Sequence, residues 1–203
     1  MKKLLIATKN PGKLTEISSF LKDLNVQILS LKDVNIDHDV EETGKTYKEN
    51  SQKKAIFYAK LSNLPAISDD GGLEIKALGG APGLKSRRWL GYHGTDEELI
   101  EHFKKVVSEI PQSKRQAAFK TVVSFALPDG RVWSIPGEVK GIVTHEPKMK
   151  ILKGYPYRSF FYIPKIKKFY HESDLTENEQ KLYNHRYITL IKLKPIIKKE
   201  LGL

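Results

Sequence analysis

We interpret the chain around one central stretch, residues 66–91, which reads AISDDGGLEIKALGGAPGLKSRRWLG. The apolar run at residues 65–67 predicts the end of a buried strand, and this strand delivers Asp69 and Asp70 together onto a loop. Two adjacent carboxylates disfavour joint ionisation, whereas a hard divalent cation reverses the sign of the interaction and prefers oxygen ligands. The pattern therefore indicates a cation beside the two acids.

The residues after the acid pair suggest that phosphate binds there too. Gly71 and Gly72 open the predicted loop, because glycine tolerates φ > 0 and lets the backbone approach a ligand closely. Residues 73–78 predict a second strand, and residues 79–83, GGAPG, predict a tight turn. This turn presents three basic side chains: Lys85, Arg87 and Arg88. The alternative is that DDGG is an ordinary polar turn between strands and that the arginines are solvated.

Length and composition exclude several classes of protein. At 203 residues the chain fits one sizeable domain, or two lobes that share a cleft. It has no cysteine, which excludes disulfides, thiolate metal sites and a cysteine nucleophile. The apolar run at residues 4–7 is too short for a signal peptide, and no stretch is long and apolar enough to span a membrane. We therefore expect a cytoplasmic enzyme or binding protein.

The formal net charge of +11 favours anionic partners, which include nucleotides, nucleic acid and acidic surfaces. Much of the excess positive charge lies in residues 165–168 and 192–199, outside the central stretch. Overall charge attracts any polyanion, so it does not separate a nucleotide from a nucleic acid.

The N-terminal residues predict a buried strand at residues 3–7, followed by a helix. Asn10 suits the N-cap and Pro11 suits the first helical position. The apolar side chains of this helix share one face: Leu14, Ile17, Leu21 and Leu24. Free N–H groups, the positive end of the helix dipole, Lys9 and Lys13 together form a natural cradle for phosphate. The alternative is a plain capped helix with surface lysines.

An acidic segment and a second helix lie between this region and the central stretch. The segment has four acidic side chains: Asp37, Asp39, Glu41 and Glu42. Residues 43–46 begin a helix that runs to about Ser62. Asn50 and Lys54 lie one turn apart on this helix, so they can address the same ligand.

Further strands and two capping boxes follow from local patterns. Strands are expected within residues 25–36 and at residues 117–127, 131–135, 138–144 and 160–163, with a hairpin turn at residues 128–130. The pattern Thr-x-x-Glu at residues 95–98 and 176–179 predicts two helix starts. The first of these helices should run through Val107 and turn Leu99, Phe103 and Val106 inward.

The C-terminal region predicts a last helix that is capped by Asn184 and begins with His185 and Arg186. These two side chains and the N–H groups beside them are all hydrogen-bond donors. Pro195 should kink or end this helix. The elements together predict an α/β protein, a two-lobed mixed-sheet fold with a central substrate cleft.

Six motifs occur in a characteristic order along nearly the whole chain. They are Thr8-x-Asn10-x-x-Lys13, Glu41-Glu42-Thr43-Gly44, Glu49-Asn50, Asp69-Asp70-x-Gly72-Leu73, Gly79-Gly80-x-Pro82-Gly83 and His185-Arg186. In this order the chain resembles the inosine triphosphate pyrophosphatase family. The resemblance implies one pyrophosphatase domain of two lobes over residues 1–203, hydrolysis of ITP, dITP and XTP to monophosphate and pyrophosphate, and a homodimer.

The resemblance also implies a role for each matching residue. The segment from Thr8 through Lys9 and Asn10 to Lys13 wraps the triphosphate, and Lys54 adds positive charge to it. Three acids hold Mg²⁺: Glu41, Glu42 beside it, and Asp70. Asp70 is also the general base for the attacking water. The remaining implied substrate contacts are Gly71, Arg88, Gly154, Tyr155, Lys181, His185 and Arg186.

These residue types suit the implied reaction. Phosphoryl transfer needs mostly positioning and charge neutralisation, which lysines, N–H groups and a metal supply. Hypoxanthine and xanthine carry an acceptor at the 6-position where adenine carries a donor. Donors from His185 and Arg186 would therefore reject ATP by leaving a polar group unmatched. No residue of the sequence explains how guanine is excluded.

The sequence departs from the family pattern on the base side. Gly71 replaces a serine of the central loop, which removes a hydroxyl. The family's base-binding loop reads Gly-Phe-Gly-Tyr-Asp-Pro-x-Phe, whereas residues 152–160 read LKGYPYRSF, with about two residues inserted. Lys153 takes the place of the stacking phenylalanine and Pro156 that of the aspartate. Tyr155 or Tyr157 could still stack on a purine.

The lysine of the family that precedes the last motif is also displaced, since Gln180 stands in its place and Lys181 one residue later. Asn184 replaces a serine, which is a mild change because both residues are good caps. The phosphate and metal side is intact, which indicates retained chemistry with altered base selectivity.

Three functions stay open at this point. The first is a Mg²⁺-dependent nucleotide pyrophosphatase, which the intact metal carboxylates favour. The second is a nucleotide- or nucleic-acid-binding relative without turnover, which the net charge and the altered loop suggest. The third is a pyrophosphatase with another substrate, such as a modified pyrimidine or a standard triphosphate.

Overall fold

The computed structural model describes residues 1–148, 150–171 and 174–203. Its helices are α1 (Pro11–Leu21), α2 (Tyr47–Ser62), α3 (Asp96–Ser108), α4 (Glu177–Tyr183) and α5 (His185–Leu201). Its strands are β1 (Lys2–Ile6), β2 (Val26–Ser30), β3 (Ala66–Ile75), β4 (Gln116–Ala126), β5 (Val132–Val143), β6 (Phe161–Ile163) and β7 (Lys168–Phe169). The predicted mixed α/β class is confirmed.

Within the described part of the chain, seven strands form one mixed sheet in the order β2-β1-β3-β4-β5-β6-β7. β1 pairs in parallel with β2 and with β3, whereas β6 pairs antiparallel with β5 and β7. Parallel neighbours need a crossover connection, and α1 and α2 supply the two that link β1, β2 and β3.

Contacts divide the chain into two compact units. Unit 1 comprises residues 1–70, 121–137 and 186–203, and unit 2 comprises residues 71–120 and 138–185. In unit 1, Leu4 and Ile6 of β1 join one buried apolar cluster, while Leu5 and Ala7 join another. This follows from the two-residue period of a strand, which sends alternate side chains to opposite faces of the sheet.

The core of unit 2 gathers around α3. Leu99, Phe103 and Val107 recur every four residues and are fully buried, with Phe160 and Phe161 in the same cluster. The sequence predicted Val106 as the third inward residue, and this prediction was wrong by one position. A four-residue step keeps a side chain on one helical face, and Val107 is the residue that continues it.

The N-cap residue and the capping-box motifs in the sequence predicted the starts of three helices correctly. The Asn10 side chain accepts hydrogen bonds from the N–H groups of Gly12 and Lys13 at the start of α1. Both predicted capping boxes are present, at Thr95 and at Thr176. The predicted hairpin is confirmed by a hydrogen bond of 2.9 Å from the Leu127 N–H to the Arg131 carbonyl.

The central stretch differs from its prediction. β3 is one continuous strand of ten residues, so the predicted loop at residues 69–72 is wrong, and residues 76–78 form a short 3₁₀ helix instead of a second strand. Gly72 is needed for a different reason from a positive φ. A Cβ there would lie 2.2 Å from the Gly83 carbonyl oxygen and 2.4 Å from Ser86 Oγ, so glycine permits two backbone segments to approach closely.

One further boundary was wrong, and of the two effects predicted for Pro195, kinking or ending the last helix, the ending does not occur. The runs predicted at residues 131–135 and 138–144 are one strand, β5, which continues through the proline at position 136. Helix α5 continues past Pro195 to Leu201. Leu193, Ile197 and Leu201 are buried in the cluster that contains Ile6, so tertiary packing outweighs the loss of one helical hydrogen bond at the proline.

Across the three described ranges, no helix combines the length and the apolar character that crossing a membrane requires.

Candidate active site

Asp69 of β3 lies at the centre of a buried ion network in unit 1. Arg186 Nε donates a hydrogen bond of 2.7 Å to Asp69 Oδ2, and Lys13 Nζ lies 3.1 Å from Oδ1. Arg186 Nη1 also donates to Glu16 Oε2 at 3.0 Å. Burial alone would raise the pKa of Asp69, but the charges of Arg186 and Lys13 hold this pKa well below its ordinary value. Asp69 is therefore a fixed anion.

Asp70, the next residue, has a different environment. Asn50 Nδ2 donates a hydrogen bond of 3.0 Å to Asp70 Oδ2, and Lys54 Nζ lies 3.9 Å from Oδ1. Burial raises the pKa of Asp70, Lys54 opposes this shift, and the nearby charge of Glu42 adds to it, so that the net shift is upward. Asp70 therefore accepts a proton more readily than Asp69 does.

The ammonium group of Lys54 lies among three oxygen atoms. It is 2.6 Å from Glu42 Oε1, 3.0 Å from the Asp69 carbonyl and 3.9 Å from Asp70 Oδ1. Burial alone would lower the pKa of Lys54, but the charges of Asp70 and Glu42 raise it above the ordinary value. A cation is thus already held where carboxylate and carbonyl oxygens converge.

This donor set fits a hard divalent cation, because such cations prefer oxygen ligands. Among the described residues, no group of three or more histidine, cysteine, aspartate or glutamate side chains is arranged to hold a metal ion. Magnesium at phosphate sites needs only one or two carboxylates, since water and substrate phosphates complete its shell. Glu42 and Asp70 satisfy that requirement.

The side chain of Glu41 is exposed, and its main-chain carbonyl accepts a hydrogen bond of 2.8 Å from Lys53 Nζ. The predicted role of Glu41 as a metal ligand stays a prediction, while its neighbour Glu42 reaches the Lys54 ammonium.

Helix α2 positions two of these partners. Asn50 and Lys54 are four residues apart, and both contact Asp70. Residues with this spacing lie on the same helical face, so the sequence alone placed the two side chains together.

The segment from Thr8 to Lys13 forms a turn with internal hydrogen bonds. Thr8 Oγ1 accepts from the Asn10 N–H at 3.2 Å, and Asn10 Oδ1 accepts from the N–H groups of Gly12 at 2.9 Å and Lys13 at 3.2 Å. Three N–H groups of the predicted phosphate cradle therefore already have acceptors. Burial lowers the pKa of Lys13, and Asp69 opposes this shift.

Lys9 turns toward the acidic segment that precedes Glu41. Its ammonium donates a hydrogen bond of 2.8 Å to the Asp37 carbonyl and lies 3.6 and 3.7 Å from the carboxylates of Asp37 and Asp39. Asp37 and Asp39, for which the sequence predicted no partner, are thus tied to the N-terminal turn.

Several predicted substrate residues lie in unit 2. Gly71 continues β3, and Arg88 and Lys181 are exposed. The Gly154 N–H donates a hydrogen bond of 2.6 Å to Asp96 Oδ2, and the φ of +83° at Gly154 is one that glycine adopts without strain. Tyr155 is half-buried.

The two tyrosines proposed for base stacking are not equivalent. Tyr157 is buried, its hydroxyl donates a hydrogen bond of 2.8 Å to the Ser86 carbonyl, and its ring packs against Trp89 and Phe103. Burial raises the pKa of Tyr157. Tyr157 is a core residue, which leaves Tyr155 as the candidate.

His185 and Arg186 are both buried. His185 Nδ1 shares a hydrogen bond with the Tyr170 hydroxyl, and the His185 ring stacks on Phe119 with centroids 5.6 Å apart. Arg186 is engaged with Asp69 and Glu16, as described above.

Residues 4–196 match the model of the Ham1 family. The chain belongs to the Ham1 family. It is 36% identical over 204 residues to the dITP/XTP pyrophosphatase of Clostridium perfringens, with 98% of each chain covered. It is 42% identical to the dITP/XTP pyrophosphatase of Synechocystis sp., with 92% of this chain and 90% of that protein covered.

The solved structures agree with the sequence comparison. A HAM1 protein from Coxiella burnetii has a TM-score of 0.81 and 31% identity, with 98% of this chain and 100% of that chain covered. The Ham1 protein of Staphylococcus aureus has a TM-score of 0.79 and 31% identity over the same shares. The resemblance stated from the ordered motifs is confirmed.

Sequence reasoning missed three residues of this Ham1-family chain. Thr121 Oγ1 donates a hydrogen bond of 2.9 Å to the Asp70 carbonyl, and Glu16 binds Arg186. Arg158 lies in the loop at residues 152–160 and is buried. Neither Thr121 nor Glu16 belongs to a recognisable motif, because their partners are far away in sequence. The signal for Arg158 was its place in the altered loop.

Proposed function

We propose that this chain hydrolyses non-standard purine nucleoside triphosphates, such as dITP, XTP and ITP, to monophosphate and pyrophosphate with Mg²⁺. The names of the relatives that cover nearly the whole chain support the substrate class. The observation that carries the proposal is the geometry at Asp70, where the Asn50 amide holds one carboxylate oxygen and the Lys54 ammonium lies among oxygens of Asp70, Asp69 and Glu42.

Asp70 is the general base. Burial keeps its pKa above the ordinary value, which makes its carboxylate a better proton acceptor than a solvated aspartate. The Asn50 amide donates a hydrogen bond to Oδ2, which fixes the orientation of the carboxylate. Asp70 takes one proton from a water molecule as the oxygen of that water bonds to the α-phosphorus. The bond between this phosphorus and the oxygen that bridges it to the β-phosphorus breaks, and pyrophosphate leaves with that oxygen.

Lys13 and Lys54 supply positive charge for the triphosphate, in a buried setting where an ionic contact is stronger than in water. Glu42 and Asp70 would hold Mg²⁺, with the Asp69 carbonyl beside them. A bound Mg²⁺ neutralises the charge that develops on the phosphate oxygens. Thr8, Lys9 and Asn10 belong to the N-terminal turn that we assign to the same phosphate chain.

The base is assigned to residues of unit 2. Tyr155 provides a ring for stacking, and His185 provides a ring nitrogen for the 6-oxo group. Gly71, Arg88, Gly154 and Lys181 stay proposed substrate residues. Arg186 acts through Asp69, since its guanidinium already bonds Asp69 and Glu16. Cytoplasmic location and a homodimer stay predictions.

The test is pyrophosphate release from XTP, dITP, ITP, GTP and ATP, each with Mg²⁺ and with EDTA. We expect release from the first three in Mg²⁺ and none in EDTA. Release from ATP or GTP at the same rate would point to a shifted specificity. Binding of nucleotides or oligonucleotides without any release would point to the non-catalytic alternative.

A further inference from the structure

Arg158 lies in the loop where the sequence departs most from its family, and the proposed mechanism gives it no role. Its side chain is buried, with the residue only 4% exposed. Arginine stays protonated in proteins, so its burial requires compensating contacts. The guanidinium carbon lies 3.9 Å from the ring centroid of Tyr155 and 4.7 Å from that of Tyr170. Both distances are within the range of cation–π attraction, so Arg158 bridges two tyrosine rings.

Tyr170 is the immobile end of this bridge. It is 1% exposed, and its hydroxyl shares a hydrogen bond with Nδ1 of His185. Its ring also packs against Phe119 and Phe161, with centroids 5.4 and 6.0 Å away. A ring enclosed on several sides cannot reorient without disturbing the core of unit 2.

Tyr155 is the other end, and its main chain is held by a tight turn. The Tyr155 N–H donates to the Leu152 carbonyl at 2.9 Å, and the Arg158 N–H donates to the Tyr155 carbonyl at 3.3 Å. Gly154 is anchored to Asp96. The turn fixes the position of the Tyr155 Cα atom, from which the side chain projects. The Arg158 guanidinium packs against the Tyr155 ring and fixes the plane of that ring.

We infer that Arg158 is a positioning residue that holds the ring of Tyr155 as a stacking platform for the purine base. The inference deepens the proposed function and rests on it for the identity of the ligand. Stacking on an aromatic ring depends on the plane of the ring, and any base offers a π face to it. Arg158 therefore governs how tightly a nucleoside is held, with little effect on the phosphate chain.

The chemistry requires arginine in particular. A guanidinium is planar and lies flat on a ring, whereas the ammonium of a lysine is a compact, strongly hydrated charge. Arg158→Lys keeps the positive charge and the long aliphatic chain but loses the planar guanidinium group. Arg158→Lys should therefore position the Tyr155 ring almost as poorly as Arg158→Met.

The experiment compares two ligands by calorimetric binding in EDTA, so that no turnover occurs. ITP carries the base, and inorganic tripolyphosphate carries a phosphate chain of the same length without a base. We expect Arg158→Lys and Arg158→Met to weaken ITP binding about 10-fold and to leave tripolyphosphate binding unchanged. Tyr155→Leu should weaken ITP equally, and combining it with Arg158→Lys should add nothing further.

Lys104→Met is the matched control, because Lys104 Nζ makes the same type of contact with another ring of unit 2, 6.0 Å from the centroid of Phe160. It should change neither affinity. Thermal unfolding of each variant identifies any that fails to fold, and Arg158→Lys is the variant designed to remain folded.

Equal weakening of both ligands by Arg158→Lys, or no weakening of either, would overturn the inference. So would a wild-type protein that binds ITP no more tightly than tripolyphosphate. Pyrophosphate release from ITP in Mg²⁺ is measured separately on the wild-type protein. Its absence would defeat the proposed hydrolysis and leave the binding result for Arg158 standing.

Discussion

Asp69 and Asp70 are neighbours on one strand, yet their surroundings differ in kind. Around Asp69, Arg186 and Lys13 approach within 2.7 and 3.1 Å, and its pKa is lowered. Around Asp70, the cation Lys54 is 3.9 Å away and is shared with Glu42, and the pKa of Asp70 is raised. The ionised form of Asp69 is therefore stabilised, whereas the protonated form of Asp70 is favoured relative to an ordinary aspartate.

The difference shows that burial alone does not decide the state of a carboxyl group. Both aspartates are less than 10% exposed. Burial favours the neutral form of each, and the outcome depends on how many cations are close and whether another acid competes for them. Substitutions at the two positions can test this division between a structural acid and a reactive acid.

The largest expected effect is the loss of hydrolysis in Asp70→Asn. An amide has the shape of the carboxylate but cannot take a proton, so kcat/KM for XTP should fall roughly 10²–10⁴-fold. Pyrophosphate release measures the rate, and thermal unfolding confirms that the variant is folded. A rate equal to that of the wild-type protein would refute the assignment of the base.

Asp69→Asn should act mainly on stability. It removes the anion that lies between the buried cations Arg186 and Lys13 and leaves Arg186 with Glu16 alone, which should cost about 3–5 kcal/mol of unfolding free energy in urea denaturation. The control is Asp129→Asn, because Asp129 is exposed and pairs with the exposed Arg131. That variant should lose far less, because solvent and salt screen an exposed ion pair. If Asp69→Asn and Asp129→Asn lost similar amounts of unfolding free energy, the assignment of Asp69 as a structural acid would be contradicted.

Glu16→Gln removes one partner of Arg186 while Asp69 stays in place. The Glu16 carboxylate is largely buried and lies 3.0 Å from Arg186 Nη1, so we expect a loss of about 1–3 kcal/mol with little change in kcat. Glu200→Gln is the comparison variant. Because its partner Arg131 is exposed, we expect this variant to lose less unfolding free energy than Glu16→Gln. A large fall in kcat for Glu16→Gln would mean that the Asp69 network takes part in the reaction.

The pH dependence of stability gives the smallest effect. The folded pKa of Asp69 lies below its ordinary value of 3.8, so its ionised form stabilises the fold above that pH and this stabilisation is lost as the pH falls further. The difference in unfolding free energy between wild-type protein and Asp69→Asn, measured in EDTA, should be constant from pH 6 to pH 5 and shrink below about pH 4. A difference that is already shrinking between pH 6 and pH 5 would contradict the lowered pKa.

Much of the architecture was predictable because its signals are local. The hydrogen bonds of Asn10, Thr95 and Thr176 to N–H groups two or three residues away fixed the helix starts. The four-residue spacing of Asn50 and Lys54 placed both side chains on one helical face. Ordered motifs along nearly the whole chain identified the family.

Only the tertiary structure decided how the acids are compensated. Arg186 reaches Asp69 across 117 residues of sequence, and no local pattern encodes that ion pair. With these cations in place, Asp69 and Asp70 can lie within a continuous strand, although the sequence suggested a loop. Residue types and short spacings determined which groups can react, whereas long-range burial and charge decided which aspartate stays ionised, because a pKa depends on neighbours that only folding brings close.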